Sequence, residues 1–116
     1  MAVEQVKIVK TLTRQIIREI VRRVVRAVDP DKIVLFGSYA YGKPRKTSDL
    51  DLLIIMNSDL PRHKRSIPVY DALRGLVLPK DIIVYTEEEV KDWESVPQSF
   101  ISSVLRKGTV LYEKQP

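Results

Sequence analysis

The sequence predicts a small α/β (α+β) domain, a mixed sheet flanked by helices behind a long N-terminal helix. Three observations carry this. Apolar residues near the amino terminus recur at helical spacing, and three short runs rich in Ile, Val and Leu read as buried strands. Helical signals then alternate with those runs rather than segregating from them. At 116 residues the chain has room for one domain, expected to span 1–116, with a core that needs no covalent staples.

From Val3 to Val28 the apolar positions Val9, Leu12, Ile16, Ile20, Val24 and Val28 fall three or four residues apart. Ile17, Val21 and Val25 widen the stripe, so the spacing predicts one amphipathic helix. Asp29-Pro30 should end it, because proline disfavours helical geometry in the residue before it. Ile33–Phe36 and Leu50–Met56 read as strands separated by a polar loop over 43–47. Two prolines disrupt residues 58–75, and a helix is expected only over Ser66–Arg74, with Gly75 past its end. Asp81–Tyr85 is a third strand. Thr86 with Glu89 spells a capping box, and Ser95 with Gln98 repeats the signal before a helix expected to stop at Gly108. Val110–Tyr112 suits a last short strand.

Composition narrows the function classes. The chain is 44% hydrophobic and 30% charged, as in soluble globular proteins. No apolar run approaches the roughly 20 residues of a membrane span, and the amino terminus lacks the pattern of a signal peptide. Without cysteine there is no disulfide and no thiolate metal site. These features lead to the expectation of a cytoplasmic protein with no membrane partner. The net charge of +5 favours acidic partners in general, among which the sum does not choose.

The chemistry concentrates between Gly37 and Asp51. Asp49 and Asp51 stand two apart at a strand start, so both side chains leave the same face. Paired carboxylates in an apolar strand repel and resist burial unless a cation sits between them. Hard oxygen ligands at this spacing suit Mg²⁺. Asp81, opening another apolar strand, can supply a third carboxylate to a two-metal site that activates an attacking oxygen and stabilises a leaving one. Gly37-Ser38 after a strand lets the backbone approach a ligand closely. A short helix from Ser38 through Tyr41 would aim its amides at phosphate. Taken singly, each feature has an ordinary structural explanation. Together, four specified residues at fixed offsets should arise by chance in about one in a thousand chains of this length.

Gly37-Ser38, ten residues, Asp49-Leu50-Asp51 and a later strand aspartate, Asp81, resemble the DNA polymerase beta-like nucleotidyltransferase superfamily. Within it the chain looks most like the minimal nucleotidyltransferases, often paired as antitoxins with a HEPN-domain toxin. The resemblance runs from about Ile33 to Tyr85, and the leading helix fits it. It implies that Gly37 and Ser38 hold the triphosphate and that Asp49 and Asp51 bind both metals. Asp81 would complete the catalytic metal site and help deprotonate the acceptor. It further implies transfer of a nucleoside monophosphate, AMP from ATP, to a protein side chain of the HEPN-type partner, with Mg²⁺ as cofactor. Many relatives carry arginine before the second glycine of the turn, where this chain has Tyr41. A non-catalytic antitoxin that keeps the fold is the alternative.

Other features are less specific. Lys10, Arg14, Arg18, Arg22 and Arg26 lie four apart and should line one side of the first helix, as a solvated face or a docking surface for an acidic partner. His63 is expected at the surface, and Trp93 in the core or a subunit interface. Nucleic acid as the main partner rests only on charge. A homodimer is possible because the chain is too short to supply both core and lid.

Overall fold

The computed structural model describes residues 7–8, 12–42 and 49–115. The strands are β1 (Lys7–Ile8), β2 (Lys32–Phe36), β3 (Leu50–Ile55), β4 (Leu76–Val77), β5 (Lys80–Tyr85) and β6 (Thr109–Glu113). The helices are α1 (Arg14–Val28), α2 (Ile67–Ala72), α3 (Glu87–Trp93) and α4 (Phe100–Lys107), with one 3₁₀ turn at Arg62–Lys64.

Helix α1 starts at Arg14 rather than Val3. The Thr13 hydroxyl accepts the Ile16 N–H at 3.2 Å and caps the helix there. Upstream, Lys7–Ile8 pairs in parallel with Leu76–Val77. That pairing is tertiary, so local periodicity could not disclose it. The rest of the expected early helix, residues 3–6 and 9–11, lies outside the described residues. The far end behaves as expected. Asp29 adopts the left-handed conformation (φ 45°), its N–H donating to the Val25 carbonyl, and buried Pro30 follows.

The main sheet runs β5-β3-β2-β6. β2 pairs antiparallel with both β3 and β6, and β3 pairs parallel with β5. The sheet is buried from two sides, so the inner strand β3 reads as an unbroken apolar run from Leu52 to Ile55, which buried Met56 continues. On one face Ile33, Leu35, Leu52, Ile54, Ile82 and Val84 meet Ile16, Ile20 and Val24 of α1 and Val69 of α2. On the other, Val34, Leu53 and Ile55 meet Val90 of α3 with Ile101 and Val104 of α4. Burying the three α1 side chains contributes about 5–8 kcal/mol before entropy is counted.

The capping box forms as its residues dictate. The Thr86 hydroxyl accepts the Glu89 N–H at 3.2 Å, and Glu89 Oε1 accepts the Thr86 N–H at 2.9 Å. Partial burial pushes the Glu89 carboxyl up, but the Thr86 bonds and the Arg65 guanidinium outweigh it and hold the group below its usual range. The second capping signal moves. Ser99, not Ser95, caps α4, accepting the Ser102 N–H at 3.1 Å. Pro97 disfavours helical geometry at Val96, so the helix waits until it is past. It stops at Gly108 as expected, where a side chain would collide with the Val104 carbonyl and with Val34 of β2. His63 is exposed, and Trp93 is half exposed rather than in the core. No helix among the described residues is long and apolar enough to cross a membrane.

Candidate active site

Register places the carboxylates. In β3, Asp51 pairs across to Phe36 of β2 on one side and to Asp81 of β5 on the other. Residues opposite one another share a face, so Phe36, Asp51 and Asp81 form one row across the sheet. Alternation sends this row to the side that α3 and α4 cover further along the strands. Asp51 is half buried, while Asp81 and Asp49 are exposed. Asp49 comes just before β3 and two residues ahead of Asp51.

Electrostatics follow from that placement. Burial pushes the Asp51 carboxyl above its ordinary value, and repulsion from Asp81 and then Asp49 pushes it further. The nearby Lys80 gives no relief, since its ammonium donates to the Leu76 and Leu78 carbonyls, both at 3.3 Å. Among the described residues, none of the three aspartates has an ion-pair partner. Nor does any group of three His, Cys, Asp or Glu side chains there stand as a ready-made metal cage. The donor set nonetheless fits Mg²⁺, which keeps several waters and takes one or two carboxylates plus substrate phosphates rather than an all-protein cage.

The turn after β2 abuts this row. Gly37 has φ 76°, a left-handed conformation that glycine adopts without strain. A Cβ at Gly37 would overlap Asp51 Oδ2 and lie 3.0 Å from its Cγ. Glycine therefore lets the turn and the Asp51 carboxylate occupy adjoining space. The Gly37 carbonyl accepts the Ala40 N–H at 3.0 Å and the Tyr41 N–H at 3.1 Å. This is one hydrogen-bonded turn, not the short helix the sequence suggested, because Gly42 (φ 75°) reverses the chain at once. Tyr39 and Ala40 anchor the turn by packing on the core cluster that the helices and the sheet share. The Ser38 and Tyr39 amides have no hydrogen-bond partner among the described residues. Their donors are thus available beside the carboxylate row.

An aromatic cluster adjoins the carboxylate row at Phe36, and no local sequence pattern assembles it. The Phe100 ring meets Phe36 edge-on at 5.4 Å and stacks on Tyr85 at 6.1 Å. The Arg62 guanidinium lies 5.2 Å from the centre of the Tyr85 ring. Phe100 stays 40% exposed, so part of its ring is open to a ligand. Phe36 was visible as the residue before Gly37. Phe100 stands more than sixty positions away, and no local pattern links them.

Residues 7–116 match the family described as polymerase beta, nucleotidyltransferase. This chain belongs to that family. A Methanocaldococcus jannaschii protein named as a protein adenylyltransferase is 35% identical over 83 residues, which are 70% of this chain and 77% of that protein. The fold resembles that of a Sulfolobus solfataricus protein named as a nucleotidyltransferase, with a TM-score of 0.58 and 24% identity, covering 84% of this chain and 78% of that one. A chain from a toxin-antitoxin structure solved with AMP-PNP resembles it with a TM-score of 0.56 at 20% identity, covering 85% and 74%. The chain is a nucleotidyltransferase, and the chemistry to be accounted for is transfer of a nucleoside monophosphate.

Proposed function

We propose that this nucleotidyltransferase moves AMP from ATP to a side-chain hydroxyl of a partner protein, with Mg²⁺ held by Asp51, Asp81 and Asp49. The observation that carries the reading is the half-buried Asp51 beside Asp81, unneutralised and flush against Gly37. Bound there, Mg²⁺ would offset the carboxylate repulsion, hold phosphate oxygens and make the attacking oxygen more acidic. The Ser38 hydroxyl and the Ser38 and Tyr39 amides donate to the triphosphate. Phe100 and Phe36 offer an apolar edge for the nucleoside. Asp81, exposed at the end of the row, receives the acceptor's proton. The acceptor oxygen forms a bond to the α-phosphorus, the bond from that phosphorus to the bridging oxygen breaks, and pyrophosphate leaves.

AMP and a protein acceptor are supported by the name of the archaeal relative and by the motif's resemblance to antitoxins paired with HEPN-domain proteins. A HEPN-type toxin is therefore the partner we assign, in a cytoplasmic setting where ATP is at hand. Adenylylation would silence it by adding bulk and negative charge. Tyr41, 46% exposed where many relatives carry arginine, favours a second reading, an antitoxin that binds without catalysis. Co-expression of the chain with a HEPN-type protein, followed by intact-mass measurement, separates the two. Added adenylyl units that disappear with Asp51→Asn support transfer. A tight complex of unchanged mass supports the second reading, and the absence of both adenylylation and a complex would refute the partner assignment.

A further inference from the structure

Away from the carboxylate row, on the opposite face of the sheet, α1 overhangs the edge strand β6 and leaves a groove of about 610 Å³. Ile17, Val21 and Val25 form one wall, and Leu111 and Tyr112 form the other. All five are only partly buried. Helix α2 packs beside α1, but β6 ends the sheet and no described element covers this flank.

Arg18, Arg22 and Arg26 line the same groove. They are exposed and four residues apart, an arrangement in which like charges repel along a helix. None of the three has an ion-pair or hydrogen-bond partner among the described residues. Arg23, one residue from Arg22, shows the contrast. Its guanidinium bonds Glu19 at 2.9 Å and the Arg74 carbonyl at 3.1 Å. No acidic residue lines the groove. An apolar floor beside a row of unmatched cations is the complement of an amphipathic helix with acidic flanks.

We infer that this α1–β6 groove docks an acidic amphipathic helix of another protein. From Ile17 to Arg26 the groove follows about 13 Å of α1, the length of roughly two and a half turns. An aliphatic floor rewards Leu and Ile side chains. It offers no ladder of aromatic rings on which nucleic-acid bases could stack. A second copy fits poorly, because pairing the same patch with itself brings three guanidiniums from each chain with no carboxylate in either groove. The docked helix would leave Asp51 and Asp81 uncovered, so this surface holds a partner without being part of the transfer site.

The test uses the full chain, labelled with ¹⁵N, and three probes. One is a synthetic peptide of about 14 residues with a Leu/Ile stripe flanked by Glu, the second its Lys-flanked counterpart, the third a single-stranded oligonucleotide. The Glu peptide should shift Ile17, Val21, Val25, Leu111 and Tyr112, and bind more weakly as salt rises. Arg18→Glu with Arg22→Glu should weaken it roughly tenfold or more and confer binding of the Lys peptide instead. Both arginines are exposed, so the fold should survive, as an unchanged melting temperature would show. Val21→Ser should weaken the peptide without swapping the preference. Equal binding of both peptides, binding of neither, or a stronger oligonucleotide response at these residues would overturn the inference. So would concentration-dependent self-association that buries them. Asp51→Asn should bind the Glu peptide normally, which keeps this result separate from the fate of the transfer reading.

Discussion

Asp51→Asn should make the protein more stable while ending transfer. Paired residues on neighbouring strands have Cα atoms about 4.8 Å apart, so the Asp51 and Asp81 carboxylates stand at roughly 5–6 Å. Coulomb repulsion at that distance is about 0.7–0.8 kcal/mol in bulk water and several-fold more at a protein-like dielectric. Asp81 is exposed, so solvent screening keeps the value near the lower limit. Burial of the Asp51 charge adds to the cost, and about 1 kcal/mol is a reasonable total. For a chain of this length that is roughly 4 °C in melting temperature. The sign depends on pH. Because the folded-state pKa of Asp51 is raised, the native state holds the proton more tightly than the unfolded chain. Stability is therefore lost as pH rises from the unfolded value through the folded one, and the full cost is present above both. Thermal denaturation of both proteins at neutral pH without metal should show the variant ahead. The gap should close below about pH 4, where the wild-type carboxyl is protonated. A variant less stable than wild type at neutral pH, or a gap indifferent to acid, would refute the reasoning.

Gly37→Ala should lower stability by about 1–3 kcal/mol and remove transfer, since the new methyl group strains a left-handed backbone and displaces the Asp51 carboxylate. Urea denaturation and a transfer assay check both effects, and a fully active variant counts against the tight packing of turn and carboxylate. Ser38→Ala should weaken ATP binding about tenfold with little change in stability, because one hydroxyl goes while the backbone amides remain; calorimetric titration reads this. Thr86→Ala should cost about 1 kcal/mol by removing the α3 cap. The Glu89 contribution is present above its unfolded pKa and lost as acid titrates the folded group, so the loss caused by Thr86→Ala should shrink at low pH.

What the sequence disclosed was local. The α1 stripe, the three strands and the Thr86–Glu89 box depend on neighbours within a few residues, and each appears where its chemistry requires; the Gly108 stop adds a distant contact with Val34 to a local one with Val104. The aspartate pair at Asp49 and Asp51 was legible for the same reason. Asp81 was legible only as a carboxylate opening an apolar strand; its pairing with Asp51 depends on the parallel register that the α2 crossover sets. Elements decided by distant contacts escaped. Lys7–Ile8 carries helix-compatible residues but pairs with β4, and α1 starts at its Thr13 cap. The Phe36–Phe100 contact joins residues remote in the chain, as does the α1–β6 groove. The arginine row was visible from spacing alone. The apolar floor beside it required the edge position of β6.

The central claim is that the carboxylate row and the Gly37 turn together make a metal-dependent nucleotide site. Calorimetric titration of ATP into the wild-type chain, in Mg²⁺ and then in excess chelator, tests it most directly. The account predicts saturable binding with Mg²⁺ that is lost in chelator and lost again in Asp51→Asn with Mg²⁺ present. Binding of equal strength in all three titrations, or none with Mg²⁺ at millimolar ATP, would contradict it.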